Sequence, residues 1–397
     1  MNTSRSTTAR SRATRLVGLA AALALVATAC GDDKKSSGGE ALKEVGKGEG
    51  ELNLVIWAGY AEDGSTYPEY NWVGPFQEQT GCTVSSKTAA TSDEMFQLMS
   101  GGGYDGVSAS GDASVRLIDA ALVAPVNTDL VPNYADISPF LKDQDYNSSD
   151  GKMYGIPHGW GANYLMWRTD VVDPAPDSWS AVFDPASPYA GKVTAYDAPI
   201  YIADAAVYLK ATKPELGIED PYSLNQEQFD AAVALLKEQH TIIGEYWNDY
   251  TKAQGAFEQG STVLGTTWQV IKNLAVANGA PLETVVPKEG TTGWSDTWMI
   301  SSTAAHPNCM YMWMDYITSP EVQAQVAYYF GEAPANPKAC DLITDDPTHC
   351  DVFRATDQSF YDSVYFWATP RSACLDGKGS DCVPFSEWIK AWTEIKG

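Results

Sequence analysis

Past residue 50 the chain falls into short apolar blocks separated by turn residues. Leu52, Leu54, Val55, Ile56 and Trp57 make 51–58 a buried strand. Residues 72–80 predict a short helix closed by Gly81, and 82–87 a second strand. Ser92 is placed to cap the next helix, with Glu94 in its first turn, Met95, Phe96 and Met99 as its apolar stripe, and Gly101-Gly102-Gly103 as its stop. Residues 104–109 return as a third strand. This alternation of strands and helices predicts an open α/β sheet with right-handed crossovers.

A second series of the same kind begins after Pro157. Residues 163–167 and 192–196 read as strands, and Asn225 caps a helix whose Phe229, Ala232, Val233 and Leu236 recur at i, i+3, i+4 and i+7. Two lobes follow from two series. Open α/β sheets bind ligands beyond the carboxyl ends of their strands, so aromatic and acidic residues just past strand ends are the functional candidates. Further on, Val322, Val326, Tyr329 and Phe330 share a helical face, residues 341–350 read as a loop, and 385–395 as a terminal helix with Trp388 and Trp392 one turn apart.

The first fifty residues are patterned differently. Arg5, Arg10, Arg12 and Arg15 precede an apolar run over 16–29 that is too short to span a bilayer, and Gly31, Asp32 and Asp33 follow at once. This is a removable export signal over 1–29. Its end, Ala27-Thr28-Ala29-Cys30, resembles the lipobox of bacterial lipoproteins, which implies that Cys30 becomes the lipidated first residue of the mature chain. Two acyl chains then anchor it stably to the outer face of the cell membrane. The Gly, Ser, Lys, Asp and Glu of 31–50 predict a flexible tether, 30–50 with its anchor.

Loss of the signal leaves 22 basic residues against 51 acidic ones, a balance of −29. Such a field disfavours nucleic acid and anionic headgroups and favours small cations. Six cysteines remain after Cys30, an even number in an exported chain, which suggests three disulfides among 15 connectivities. The short spacings make Cys340 with Cys350 and Cys374 with Cys382 the natural local pairs, leaving Cys82 with Cys309. No cysteine pair has C-x-x-C spacing and the four histidines are scattered, so neither a metal nor another cofactor is expected. The chain has no G-x-S-x-G, P-loop or H-E-x-x-H, and its Gly46-x-Gly48-x-Gly50 falls in the tether rather than between a strand and a helix. No enzymatic activity is therefore expected.

Aromatic and acidic residues stand at strand ends and turns: Trp57 with Tyr60, Asp112, Asp197, Trp268, and Trp294 with Asp296. Aromatic faces attract cations and carboxylates fix ammonium groups by charge-assisted hydrogen bonds, a combination suited to an organic amine. At these positions the chain resembles the polyamine-binding receptors of bacterial ABC importers. Three stretches carry the resemblance: Val55-Ile56-Trp57-Ala58-Gly59-Tyr60, then Tyr154-Gly155-Ile156-Pro157-His158-Gly159-Trp160-Gly161, and Val286-Pro287-Lys288-Glu289-Gly290 with Trp294-Ser295-Asp296.

The resemblance implies a two-lobed periplasmic-binding-protein fold of type II, each lobe an open α/β sheet flanked by helices, with the ligand in the cleft between. One lobe is expected from 51–157 plus 291–335 and the other from 158–290 plus 336–397, closing by hinge rotation near His158, Gly290 and Ala335. Trp294 inherits stacking on the ligand's methylenes and Asp296 an amine contact. Trp57 and Tyr60 become an aromatic wall, Asp197 a second amine ligand, Trp268 the closing side of the box and Ser110 a polar contact. The pattern departs from the family at Gly59 and Ile200, where glutamates are usual, and Asp112 and Glu332 are expected to compensate. Phe366 and Trp367 are placed near the cleft. The implied function is capture of a putrescine- or spermidine-like cation for delivery to an ABC permease by a monomer. Receptors for a quaternary amine, a sugar or an Fe(III) complex, and a secreted hydrolase, are the alternatives.

Overall fold

The computed structural model describes residues 40–397 apart from 376, 378 and 380. The segment 1–29 expected to be an export signal, the expected lipidation site Cys30 and residues 31–39 lie outside the described residues. Among those described, no helix is long and apolar enough to cross a membrane.

Two mixed sheets organise the chain. The larger has seven strands, with Glu51–Ile56 parallel to both Thr83–Thr88 and Gly106–Ser110. The long strand Thr291–Ile300 runs antiparallel to Gly106–Ser110 on one side and to Gly155–Ala162 on the other, and the short Ala333–Pro334 and Val364–Phe366 complete it. The smaller sheet has five strands: Leu282–Val285, Tyr164–Arg168, Leu264–Thr267, Val193–Tyr196 and Ile243–Trp247, in that order. The two-lobed α/β expectation is met, with one strand, Tyr164–Arg168, running against the rest of the smaller sheet and three, Thr291–Ile300, Ala333–Pro334 and Val364–Phe366, running against the others of the larger.

Local sequence accounts for most of these elements. The first helix, Val73–Thr80, ends at Gly81 with φ 72°, a left-handed cap that glycine adopts without steric cost. Helix Gln226–His240 opens with a full capping box, Asn225 accepting from the Gln228 amide and Gln228 reaching back to the Asn225 amide. Helix Ser92–Gly101 corrects the expected cap by one residue. Thr91 accepts from Glu94 N, and Ser92 is the first helical residue, free to donate its hydroxyl to Asp112 Oδ1 at 2.8 Å.

The lobe boundaries also shift. The chain leaves the larger sheet at Asn163, not at His158, which sits inside the strand Gly155–Ala162. It passes back across 286–290, between Leu282–Val285 of the smaller sheet and Thr291–Ile300 of the larger. The last passage is later than Ala335: residues beyond it pack under the larger sheet, where Phe353, Ala355, Phe360 and Tyr361 share a core with Ile137, Leu141 and Trp160, until Val364–Phe366 pairs with Thr291–Gly293. Only then does the chain cross to the terminal helix Phe385–Lys396, which packs against Gln226–His240. The first passages are pinned by hydrogen bonds. Asn163 donates to Thr292 Oγ1 at 2.6 Å, and Thr291 Oγ1 to the Asn163 carbonyl at 2.6 Å. Glu289 accepts from Ser178 Oγ and Trp179 N, so this part of the return motif anchors the passage.

All three disulfides take the natural pairing: Cys82–Cys309, Cys340–Cys350 and Cys374–Cys382. The first sits beside a segment that the sequence assigned to the tether. Residues 40–50 are laid down on the larger lobe. Leu42 and Val45 pack on its core, Asn127 donates to the Leu42 carbonyl, and Gly46 N donates to Asn308 Oδ1. Glu49 accepts from the amides of Asn308 and Cys309 at 3.0 Å each, covering the exposed donors and positive end of helix Pro307–Ile317. Burial raises its carboxyl, but these amide bonds outweigh burial and hold it below the usual range. Residues 40–50 are therefore an ordered strap rather than a flexible tether. Glu49→Ala should lower the unfolding free energy by about 1 kcal/mol, the usual cost of a lost helix cap, with ligand affinity unchanged; denaturant melts of the two proteins measure it, and equal midpoints would contradict the strap.

Candidate functional site

The strand Thr291–Ile300 is buried along its whole length. A strand covered on both faces is normally a continuous hydrophobic run, because each polar group there must find a partner away from water. This one carries Thr291, Thr292, Ser295, Asp296 and Thr297. Asp296 lies where the strand pairs with Ser110 and Gly159 and where its register shifts.

Two donors hold the Asp296 carboxyl: Ser110 Oγ to Oδ1 at 2.5 Å and the Tyr60 hydroxyl to Oδ2 at 2.6 Å. The same Tyr60 hydroxyl lies 2.9 Å from Glu332 Oε2. One hydroxyl proton cannot serve two carboxylates, so one of the acids must bring its own. Burial, and then the neighbouring Asp296, push Glu332 well above the usual carboxyl range, whereas Asp296, raised chiefly by burial and eased by its Ser110 and Tyr60 bonds, reaches about 7. Both acids are thus raised, Glu332 further than Asp296, with the Tyr60 hydroxyl lying between them. Behind Glu332 stands His158, fully buried and kept neutral by that burial, its pKa lowered to about 3. Gln323 Oε1 accepts from Asn336 N, which turns its amide nitrogen toward His158 Nδ1 at 3.2 Å and places the imidazole proton on Nε2, 3.5 Å from Glu332 Oε1.

Asp296 faces a cavity of about 290 Å³ between the two sheets. Trp57, Trp268, Trp294, Phe330, Trp367 and Tyr250 supply its aromatic walls, and Thr88, Ser110, Asn248, Asp249 and Thr251 its other polar side chains. Trp294 stands edge-on to Phe330, with ring centres 5.9 Å apart, and 6.3 Å from Trp268. Glycine makes room for this wall. A Cβ on Gly161 would come within 2.7 Å of the Trp294 ring, and one on Gly159 would strike the Glu332 carboxyl. Any side chain at either position would displace the tryptophan or the acid.

The residues singled out in the sequence separate into three groups. Trp57, Ser110, Trp268, Trp294 and Asp296 line the cavity together. Tyr60 and Glu332 lie behind Asp296; Tyr60 is fully buried and offers the cavity no ring face, so it orients the acid instead of forming a wall. Asp112 and Asp197 do not line the cavity. Asp112 is buried and takes the Ser92 hydroxyl, its carboxyl raised to about 6 by burial. Asp197 is paired with Lys396 at 2.6 and 2.8 Å and accepts from Trp392 Nε1 at 3.0 Å, so the terminal helix has already neutralised it. Trp367 reaches the cavity, while its neighbour Phe366 stacks on Tyr361.

Residues 71–350 match the family model described as bacterial extracellular solute-binding protein. The chain belongs to that family. The spermidine/putrescine-binding periplasmic protein of Escherichia coli (strain K12) is 24% identical over 307 residues, 74% of this chain and 84% of that protein. Among solved structures, the spermidine/putrescine ABC transporter substrate-binding protein PotD of Streptococcus pneumoniae superposes with a TM-score of 0.67 at 19% identity, over 87% of this chain and 99% of the other. The PBP MotA of A. tumefaciens B6, in complex with glucopine, does so with the same score and identity, over 87% and 100%. Both share the fold of this solute-binding protein.

Besides Thr88, Ala89 and Ala90 at the end of strand Thr83–Thr88, the sequence reading missed the lining residues Asn248, Asp249, Tyr250 and Thr251. They follow the edge strand Ile243–Trp247, whose mixed exposure gave no clean periodicity, although a position just past a strand's carboxyl end was the available signal. Phe330 was assigned to helix packing and serves both purposes.

Buried acids set the receptor's pH response. Asp112, Asp204, Asp296 and Glu332 are all raised, so between about pH 4 and pH 7 the folded chain holds more protons than the unfolded one, and stability falls as pH rises. His158 and His349, both lowered by burial, work in the opposite sense, two imidazoles against four carboxyls. The unliganded melting temperature should therefore decline from about pH 5 to about pH 7.5, and Asp296→Asn should decline less. Superimposable profiles for the two proteins would mean that Asp296 does not titrate in this window.

Proposed function

We propose that this solute-binding protein is the lipid-anchored receptor of an ABC importer, capturing a polyamine-class cation between its lobes and presenting the closed form to the permease. The observation that supports it is a single one: a carboxyl held by Tyr60 and Ser110 at the floor of an aromatic cavity between the two sheets. A cationic ammonium gives Asp296 the counter-charge its burial denies it and lies over rings whose quadrupoles attract it. A neutral or anionic solute supplies neither. Binding makes and breaks no covalent bond; ligand selects the closed arrangement because only there do walls from both lobes meet it. Names of relatives such as the spermidine/putrescine-binding protein of E. coli point to the same ligand class.

The six aromatic walls also favour a second reading, a quaternary ammonium held by cation–π contact alone. Calorimetry with putrescine, spermidine, choline and an amino acid separates the two. Heat with the primary amines supports the first reading, heat with choline alone the second, and heat with neither removes both. Asp296→Asn should weaken amine binding by about 1.5 to 3 kcal/mol, the range for a hydrogen bond to a charged group. Trp294→Ala should weaken it as well, and intrinsic fluorescence should lose most of its ligand response.

A further inference from the structure

We infer that Asp249 is the second ammonium anchor of this cleft and makes it selective for a diamine over a monoamine of equal length. The inference rests on the cation-receptor reading above and adds a residue to it. Asp296 and Asp249 are the acids that line the cavity, one on the larger sheet's long strand and the other on the loop that follows Trp247 in the smaller sheet. Other candidate acids are committed elsewhere: Asp197 to Lys396 and Trp392, Asp112 to Ser92, and Glu332 behind Tyr60.

The two oxygens of Asp249 do different things. Oδ1 caps helix Tyr250–Gln259, accepting from Thr251 N at 3.0 Å and Thr251 Oγ1 at 2.7 Å. Among the described residues, the cation paired with Oδ2 is Lys252, 3.9 Å away and largely exposed, a pairing that water screens. An acceptor fixed in place by its own cap and lightly engaged on its other oxygen is prepared for a cation. Asp249 is about one-third exposed and Asp296 is buried, so the cavity has a deep carboxyl and a rim carboxyl. A diamine whose ends meet both ties the smaller lobe to the larger, and that bridge is an interaction the open form lacks. A monoamine satisfies Asp296 and leaves the lobes untied.

The test compares putrescine with butylamine, which has the same carbon chain and one ammonium, by calorimetry on the wild type, Asp249→Asn and Asp197→Asn. Asparagine caps helices as well as aspartate does, so Asp249→Asn removes the charge and keeps the cap; Asp249→Ser, another good cap, serves as the second variant. Wild type is expected to prefer putrescine at least tenfold. Both Asp249 variants should lose at least tenfold for putrescine and less than twofold for butylamine, while Asp197→Asn binds both as the parent does. Parental putrescine affinity in the Asp249 variants, or equal losses for the two amines, overturns the inference and leaves the receptor reading standing. A wild type that binds no amine overturns both.

Discussion

A carboxyl buried in the middle of a strand is the constraint around which this molecule is arranged. Asp296 can be kept there only because Ser110 and Tyr60 donate to it, and the Tyr60 hydroxyl is held between Asp296 and Glu332. Glu332 in turn needs a neutral His158 beside it, a Gly159 that leaves it space, and a fixed backbone, which His349 Nε2 helps supply by donating to the Glu332 carbonyl at 2.8 Å. His349 is held by its neighbour Cys350 in the Cys340–Cys350 loop. The segment after 335 thus supports the site from behind, which gives a physical reason for its staying with the larger lobe.

Such a chain is costly if incomplete, since each unpaired buried polar group loses its hydration without return. Its benefit is a carboxyl poised near neutrality whose ionised form lacks only a counter-charge. The aromatic walls restrict what can provide it. Trp57 comes from the larger lobe, Trp268 and Tyr250 from the smaller, and Trp294 from the strand that carries Asp296, so no single lobe completes the cavity. Under the proposed function, recognition and lobe closure are the same event. The strap at 40–50 sits apart from this machinery, on the far end of the long helix-capping contact made by Glu49, and places the start of the described chain firmly on one lobe.

What the sequence determined by itself was local or pairwise. Strands such as Glu51–Ile56, the Asn225 cap, the Gly81 stop and the three cystine pairs depend on periodicity, cap chemistry and spacing, all of which are present in a linear string. The motifs at Trp57, Trp268, Trp294 and Asp296 were equally legible, because aromatic and acidic residues at strand ends stand out wherever they are found. Tertiary structure decided the rest. Asp197 looked as available as Asp296 until the terminal helix brought Lys396 and Trp392 onto it, almost two hundred residues away in sequence. Asp249 followed a strand too exposed to announce itself, and residues 40–50 had a linker's composition yet found partners in Asn127, Asn308 and Cys309. A side chain's chemistry is written in its own residue, but whether that chemistry is free for a ligand depends on which distant groups the fold brings against it.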